Sequence, residues 1–130
     1  MNFNFHHVGI IVKSIKEYEK NMLFEKKINE VIDPIQKAKL SLYKNFSDSY
    51  LELIEPLTIE SPTYNALNKF GEHLNHLCYI TDSFDKINEY AEQNNWLQIF
   101  GPVPAVLFDN KEVIFYFTQN KQLIEFIIIK

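Results

Sequence analysis

The stretch Leu74–Thr81 reads LNHLCYIT, with His76 at its centre, and the chain has written something like it once before, at Phe5–Val12, FHHVGIIV, around His7. Aligning His7 with His76 places Ser14 on Ser83, and each apolar run then leads into a helix-like segment. Each copy is followed by a glutamate inside an apolar strand-like run. Glu52 stands in YLELIEP, 45 residues after His7, and Glu125 in QLIEFIII, 49 residues after His76. Two half-length units therefore each offer one histidine and one glutamate at matching places.

Working outward from these runs, Phe5–Val12 reads as a strand, with Phe5, His7, Gly9 and Ile11 on one face and His6, Val8, Ile10 and Val12 on the other. Ser14 and Glu17 form a capping box, and Ile15, Tyr18, Met22 and Leu23 give a helical apolar stripe to about Phe24. Strands follow at Lys27–Ile32, Lys39–Tyr43 and Tyr50–Ile54, with Asp33-Pro34 and Ser47-Asp48-Ser49 as turns and Pro56 as a stop. The connector holds a short helix at Thr63–Phe70, behind Pro62 and closed by Gly71. The second copy reads as a strand at His73–Thr81, a helix from about Phe84 to Gln93 behind Asp82 or Ser83, and a strand at Leu97–Phe100. A rigid turn at Gly101–Pro104 precedes strands at Glu112–Phe117 and Gln122–Ile129. The order is βαβββ, connector helix, βαβββ. The fold class is α+β, one domain over residues 1–130, with module 1 at about 1–56, a connector at about 57–72 and module 2 at about 73–130.

The composition bounds the function. With 46% hydrophobic and 23% charged residues, the chain has apolar surface enough to offset its conformational entropy, which excludes disorder. A net charge of −4 argues against a nucleic-acid groove. Cys78 is the single cysteine, so no intrachain disulfide forms. The start MNFNFHHVGI lacks the basic region of a signal peptide, and no apolar run approaches the ~20 residues that span a bilayer. A reducing, cytoplasmic setting without membrane contact is the expectation. Three glycines leave no phosphate-cradling loop.

Period-2 geometry lets His7, Glu52, His76 and Glu125 share faces with few other polar groups. A buried carboxylate without a partner costs several kcal/mol or takes up a proton, and a divalent metal ion removes that cost. Two imidazoles and two carboxylates make a first shell with positions left for water or substrate. The plain alternative is four ordinary polar residues on a solvated face. His6 and His73 fall outside the repeat and read as structural. Cys78 shares the face of His76, as a pocket-lining thiol or a small core residue, and Phe115–Phe117 reads as core.

The runs HHVGIIV, YLELIEPL, SPTYNAL, HLNHLCYIT, FGPVPAVLFDN and QLIEFI, in that order, resemble the vicinal oxygen chelate (glyoxalase/bleomycin resistance/dioxygenase) superfamily, in its methylmalonyl-CoA epimerase and glyoxalase I-like branch. The resemblance covers nearly the whole chain. It implies paired βαβββ modules in a U-shaped mixed sheet around one divalent metal ion (Zn, Co, Ni, Mn or Fe), and a homodimer. It carries the ligand roles onto His7, Glu52, His76 and Glu125. The epimerases place an acid/base glutamate in a stretch matching Pro34–Ala38; Gln36 keeps the family's glutamine there and reads as a pocket residue, but Ile35 falls where the glutamate belongs.

The resemblance implies metal-dependent proton abstraction α to a carbonyl by an isomerase, epimerase or lyase, with Glu125 or Glu52 as the base. The substrate is then a small oxyacid or an acyl-thioester. The alternative is a non-catalytic small-molecule binding protein of the same fold, in resistance or as a biosynthetic accessory. Extradiol iron chemistry fits less well, since it uses two histidines and one carboxylate and Glu52 is a fourth ligand.

Overall fold

The computed structural model describes residues 3–129; residues 1, 2 and 130, assigned above to the ends of the two modules, lie outside them. The elements run β1 (Asn4–Ile11), α1 (Ile15–Tyr18), β2 (Lys26–Asp33), β3 (Ala38–Lys44), β4 (Tyr50–Pro56), α2 (Tyr64–Phe70), β5 (His73–Thr81), α3 (Phe84–Asn94), β6 (Leu97–Ala105), β7 (Lys111–Phe117) and β8 (Leu123–Ile128). The class is α+β, and the element order is the doubled βαβββ expected from the repeat. The chain divides into two compact units, residues 7–75 and the described residues of 1–6 with 76–130. No helix among the described residues is long and apolar enough to cross a membrane.

In the first unit the strand order is β2-β3-β4-β1. β1 runs parallel to β4, with Gly9 beside Glu52 and Ile11 beside Ile54. β3 is antiparallel to β4, with Leu42 beside Glu52. One face carries His7, Glu52, Leu42 and Leu40. The other carries Ile10, Val12, Tyr43 and Leu53, which pack with Ile15 of α1 into a core cluster. Both faces of β1 are buried toward its end, where Ile10, Ile11 and Val12 follow one another in the core. A β-branched run bounded by Lys13 is the sequence form of that burial.

The second unit repeats the plan as β5-β8-β7-β6. β5 runs parallel to β8 with Cys78 beside Glu125, and β7 lies antiparallel with Phe115 beside Glu125. Helix α3 lays Ile87 and Ala91 on Ile114, Tyr116, Ile124, Phe126 and Ile128. The opposite face, which carries Glu125, holds a second cluster of Cys78, Ala105, Val113, Phe115 and Ile127.

Two expectations are corrected. The first helix does not reach Phe24. It ends at Tyr18, passes through a 3-10 turn at Glu19–Asn21, and becomes extended at Met22. Met22 and Phe24 reach the core from this extended segment, while Leu23 between them is 77% exposed. The rigid turn read at Gly101–Pro104 is strand: β6 continues through both prolines to Ala105, with register shifts between Gln98 and Phe100 and between Phe100 and Val103. β6 is the outer strand of its unit, so a missing proline N–H on its open side breaks no ladder bond.

Candidate metal centre

Each unit builds one buried histidine–glutamate pair. In residues 7–75, His7 Nε2 lies 3.3 Å from Glu52 Oε1, with 0% and 5% of the side chains exposed. In the second unit, His76 Nε2 lies 3.0 Å from Glu125 Oε1, with 2% and 3% exposed. The pairs are built alike. The histidine stands on the first strand of the module, and the residue two beyond it, Gly9 or Cys78, lies beside the glutamate of the parallel fourth strand. One parallel register thus sets the pairing distance twice.

The surroundings differ in detail. The His76 ring meets Phe115 edge to face at 5.5 Å, and Phe115 is itself the cross-strand neighbour of Glu125. A buried aromatic ring therefore packs against both the imidazole and the carboxylate's strand. Gly9 brings no side chain against Glu52, and Leu42 covers it from the other strand. A buried carboxylate among Leu, Ile and Phe needs a hydrogen-bonding or cationic partner, and a divalent metal is one such partner. Nε2 and carboxylate oxygens are donors that a borderline divalent ion accepts, so the residues of both pairs fit such a group.

The other residues singled out from sequence fall as follows. Cys78 is fully buried in the apolar cluster of its unit. Gln36 is half-buried in the turn between β2 and β3, where its N–H donates to Asp33 Oδ1. Ile35 in the same turn is 42% exposed. The His6 ring lies edge-on to Phe108, and His73 Nδ1 sits 2.7 Å from the Gly71 carbonyl oxygen.

In sequence Asp33 reads only as turn chemistry, yet in the fold it is buried. Its Oδ1 accepts the N–H groups of Ile35 and Gln36, while Oδ2 has no hydrogen-bond partner among the described residues. Asp33 pairs with Ala38, and Ala38 with Pro56, so it stands on the face that carries Glu52. An Asp-Pro dipeptide signals the turn but not the burial.

The sequence profile described as the Glyoxalase/Bleomycin resistance protein/Dioxygenase superfamily matches residues 6–115. The uncharacterized protein YqjC of Bacillus subtilis is 28% identical over 113 residues, which is 84% of this chain and 79% of YqjC. The hypothetical protein BH1468 from Bacillus halodurans superposes with a TM-score of 0.85 at 26% identity, over 100% of this chain and 96% of its own. Methylmalonyl-CoA epimerase from Mycobacterium tuberculosis shares the fold at a TM-score of 0.82 and 19% identity, over 98% and 88% of the chains. A variant of the Streptomyces coelicolor epimerase, in complex with 2-nitronate-propionyl-CoA, does so at 0.79 and 18%, over 98% and 95%.

Proposed function

This chain belongs to the Glyoxalase/Bleomycin resistance protein/Dioxygenase superfamily, and we propose that it is a metal-dependent isomerase, epimerase or lyase that removes a proton α to a carbonyl. The substrate is a small oxyacid or an acyl-thioester. The observation that carries this reading is the duplicated buried pair, His7 with Glu52 and His76 with Glu125. Together these four residues would hold one divalent ion, Zn, Co, Ni, Mn or Fe. When bound, such an ion would supply Lewis acidity that makes a carbon next to a substrate carbonyl more acidic.

The chain's own groups do the proton chemistry. Glu125 takes the α-proton onto a carboxylate oxygen and returns it, with His76 and Phe115 holding the carboxylate in place. Glu52, its counterpart in module 1, is the alternative base. Ile35 has no proton-carrying atom, so the position where the epimerases keep a second acid/base glutamate is silent here. A small 2-oxo or 2-hydroxy acid is therefore preferred to methylmalonyl-CoA itself. A homodimer is part of this reading.

The first test is elemental analysis of protein purified without a histidine tag. About one divalent ion per chain is expected in wild type, and its loss in His76→Ala. The metal-loaded protein then exchanges the C3 protons of a 2-oxo acid, which neighbour its ketone, with D₂O, and Glu125→Ala slows that exchange by roughly 10²–10⁴-fold. Absence of metal from wild type after reconstitution with zinc, or unchanged exchange in Glu125→Ala, would overturn the assignment.

A further inference from the structure

The two modules repeat their strand register at the histidine but not its chemistry. In module 1 His7 stands beside Tyr50, Tyr50 faces Lys44, and Lys44 faces Lys26. Directly paired residues on neighbouring strands project to the same face. Lys26, Lys44 and Tyr50 thus form one row with His7, on the face that carries Glu52. In module 2 the equivalent row is His76, Leu123, Phe117 and Leu97. Every cation and hydroxyl of the first row is replaced by an apolar side chain in the second.

The cationic row is unfavourable unless it has a use. Two lysines directly opposite each other repel. Lys44 is a third exposed, and its Nζ lies 3.7 Å from Glu25 Oε2 and 3.3 Å from the Asn45 carbonyl oxygen. An ion pair that long, between partly exposed groups, is weak and readily exchanged for a better anion. The chain contains no arginine, so a lysine is the strongest anion ligand it can offer. Lys44 stands two strand spacings, roughly 10 Å, from His7, and its flexible side chain covers more than half of that distance.

Resting on the proposed proton-abstraction site, we propose that the substrate is a dianionic acid. One end presents the chelating oxygen pair beside His7 and Glu52. A second carboxylate, two to three carbons further along, pairs with Lys44, next to the Tyr50 side chain. The apolar row of module 2 carries no such cation. Lys44 is a specificity residue; it takes no part in the proton transfer.

Two probes differ only in the distal carboxylate: 2-oxoglutarate carries it and 2-oxopentanoate does not. Both are titrated calorimetrically into zinc-loaded protein. Wild type is expected to bind 2-oxoglutarate about tenfold more tightly, the size of one charge-assisted contact. Lys44→Met brings the ratio near one and leaves zinc content and 2-oxopentanoate affinity unchanged. Glu25→Gln removes the competing carboxylate and widens the ratio, and added salt narrows it. Equal affinities in wild type, a preference that survives Lys44→Met, or no binding of either probe overturns the proposal. Zinc content separates the two readings. A wild type without zinc fails the proposed function, whereas a zinc-loaded wild type indifferent to the distal carboxylate fails this inference alone.

Discussion

Tyr43 is fully buried on the face of β3 that packs under α1, and its hydroxyl joins two partners there. It donates to Glu19 Oε2 at 2.5 Å and accepts from Ser41 Oγ at 2.8 Å, while Lys27 Nζ donates to the same Glu19 oxygen at 3.0 Å. Burial, and then the bond to Glu19, pushes the phenol up to about 12. The bond from Tyr43, with Lys27 assisting, holds the Glu19 carboxyl below its ordinary range. Because the phenol's value is raised in the folded state, its contribution is full below the unfolded value near 10 and is lost between about 10 and 12. Thermal melts should therefore show a steeper fall of Tm for wild type than for Tyr43→Phe in that window. Parallel curves would remove the phenol from the alkaline transition. At neutral pH the variant should be destabilised by roughly 1–2 kcal/mol through the lost bonds. At this scale the sequence was legible where a residue recurs and opaque where a residue depends on register. His7, Glu52, His76 and Glu125 stood out because each had a counterpart. Lys26 did not, because the irregularity between Lys27 and Asn29 puts Lys26 and Asn29 on one face, where simple alternation would separate them.

Among the elements, the caps were the easiest to read. Ser14 Oγ accepts from the Glu17 N–H at 3.2 Å, and Ser83 Oγ from the Lys86 N–H at 3.3 Å. The two serines sit at equal distances from the two histidines, so the start of each module's helix is duplicated along with its strand. Lengths were not legible in the same way. The apolar stripe running on from Tyr18 suggested helix, but Glu19 is drawn to Tyr43 and Lys27, and Met22 and Phe24 fill the core from extended backbone. Tertiary contacts override a short local period when the helix has no length to lose. β6 erred the other way, since prolines that end an inner strand are tolerated on an outer one. Gly101 marks that passage: with φ +90 it adopts a backbone state that side chains avoid, and a Cβ there would meet the Val113 carbonyl oxygen at 2.5 Å. For α3, Ser83→Ala should cost about 1 kcal/mol in chemical denaturation. Ile87 and Ala91 still hold the helix to the sheet, so zinc uptake should be unchanged. Loss of zinc in this variant would mean that the helix start, and not only β5 and β8, positions the His76–Glu125 pair.

For the molecule as a whole, the consequential fact is that one register is used twice and each use buries one pair. Burial of one imidazole and one carboxylate per module is sustainable as two separate hydrogen-bonded pairs, or as four donors to one ion. The two arrangements predict different arithmetic. Separate pairs that each took a metal would give two ions per chain, and His7→Ala would leave one of them. A single ion shared by both modules gives one per chain, and then either histidine is indispensable. His7→Ala and His76→Ala should each lower zinc affinity by at least 10²-fold. The double variant should be scarcely worse than either single one, since removing a second ligand from a broken site has little left to weaken. Competition with a chromophoric chelator reads the affinities, and elemental analysis the stoichiometry. Two ions in wild type, or single-variant losses that add in the double variant, would return the pairs to independent roles. An asymmetric result, with His76→Ala severe and His7→Ala mild, would also defeat the shared ion. It would point to the enclosed His76–Phe115 corner as a site complete in itself.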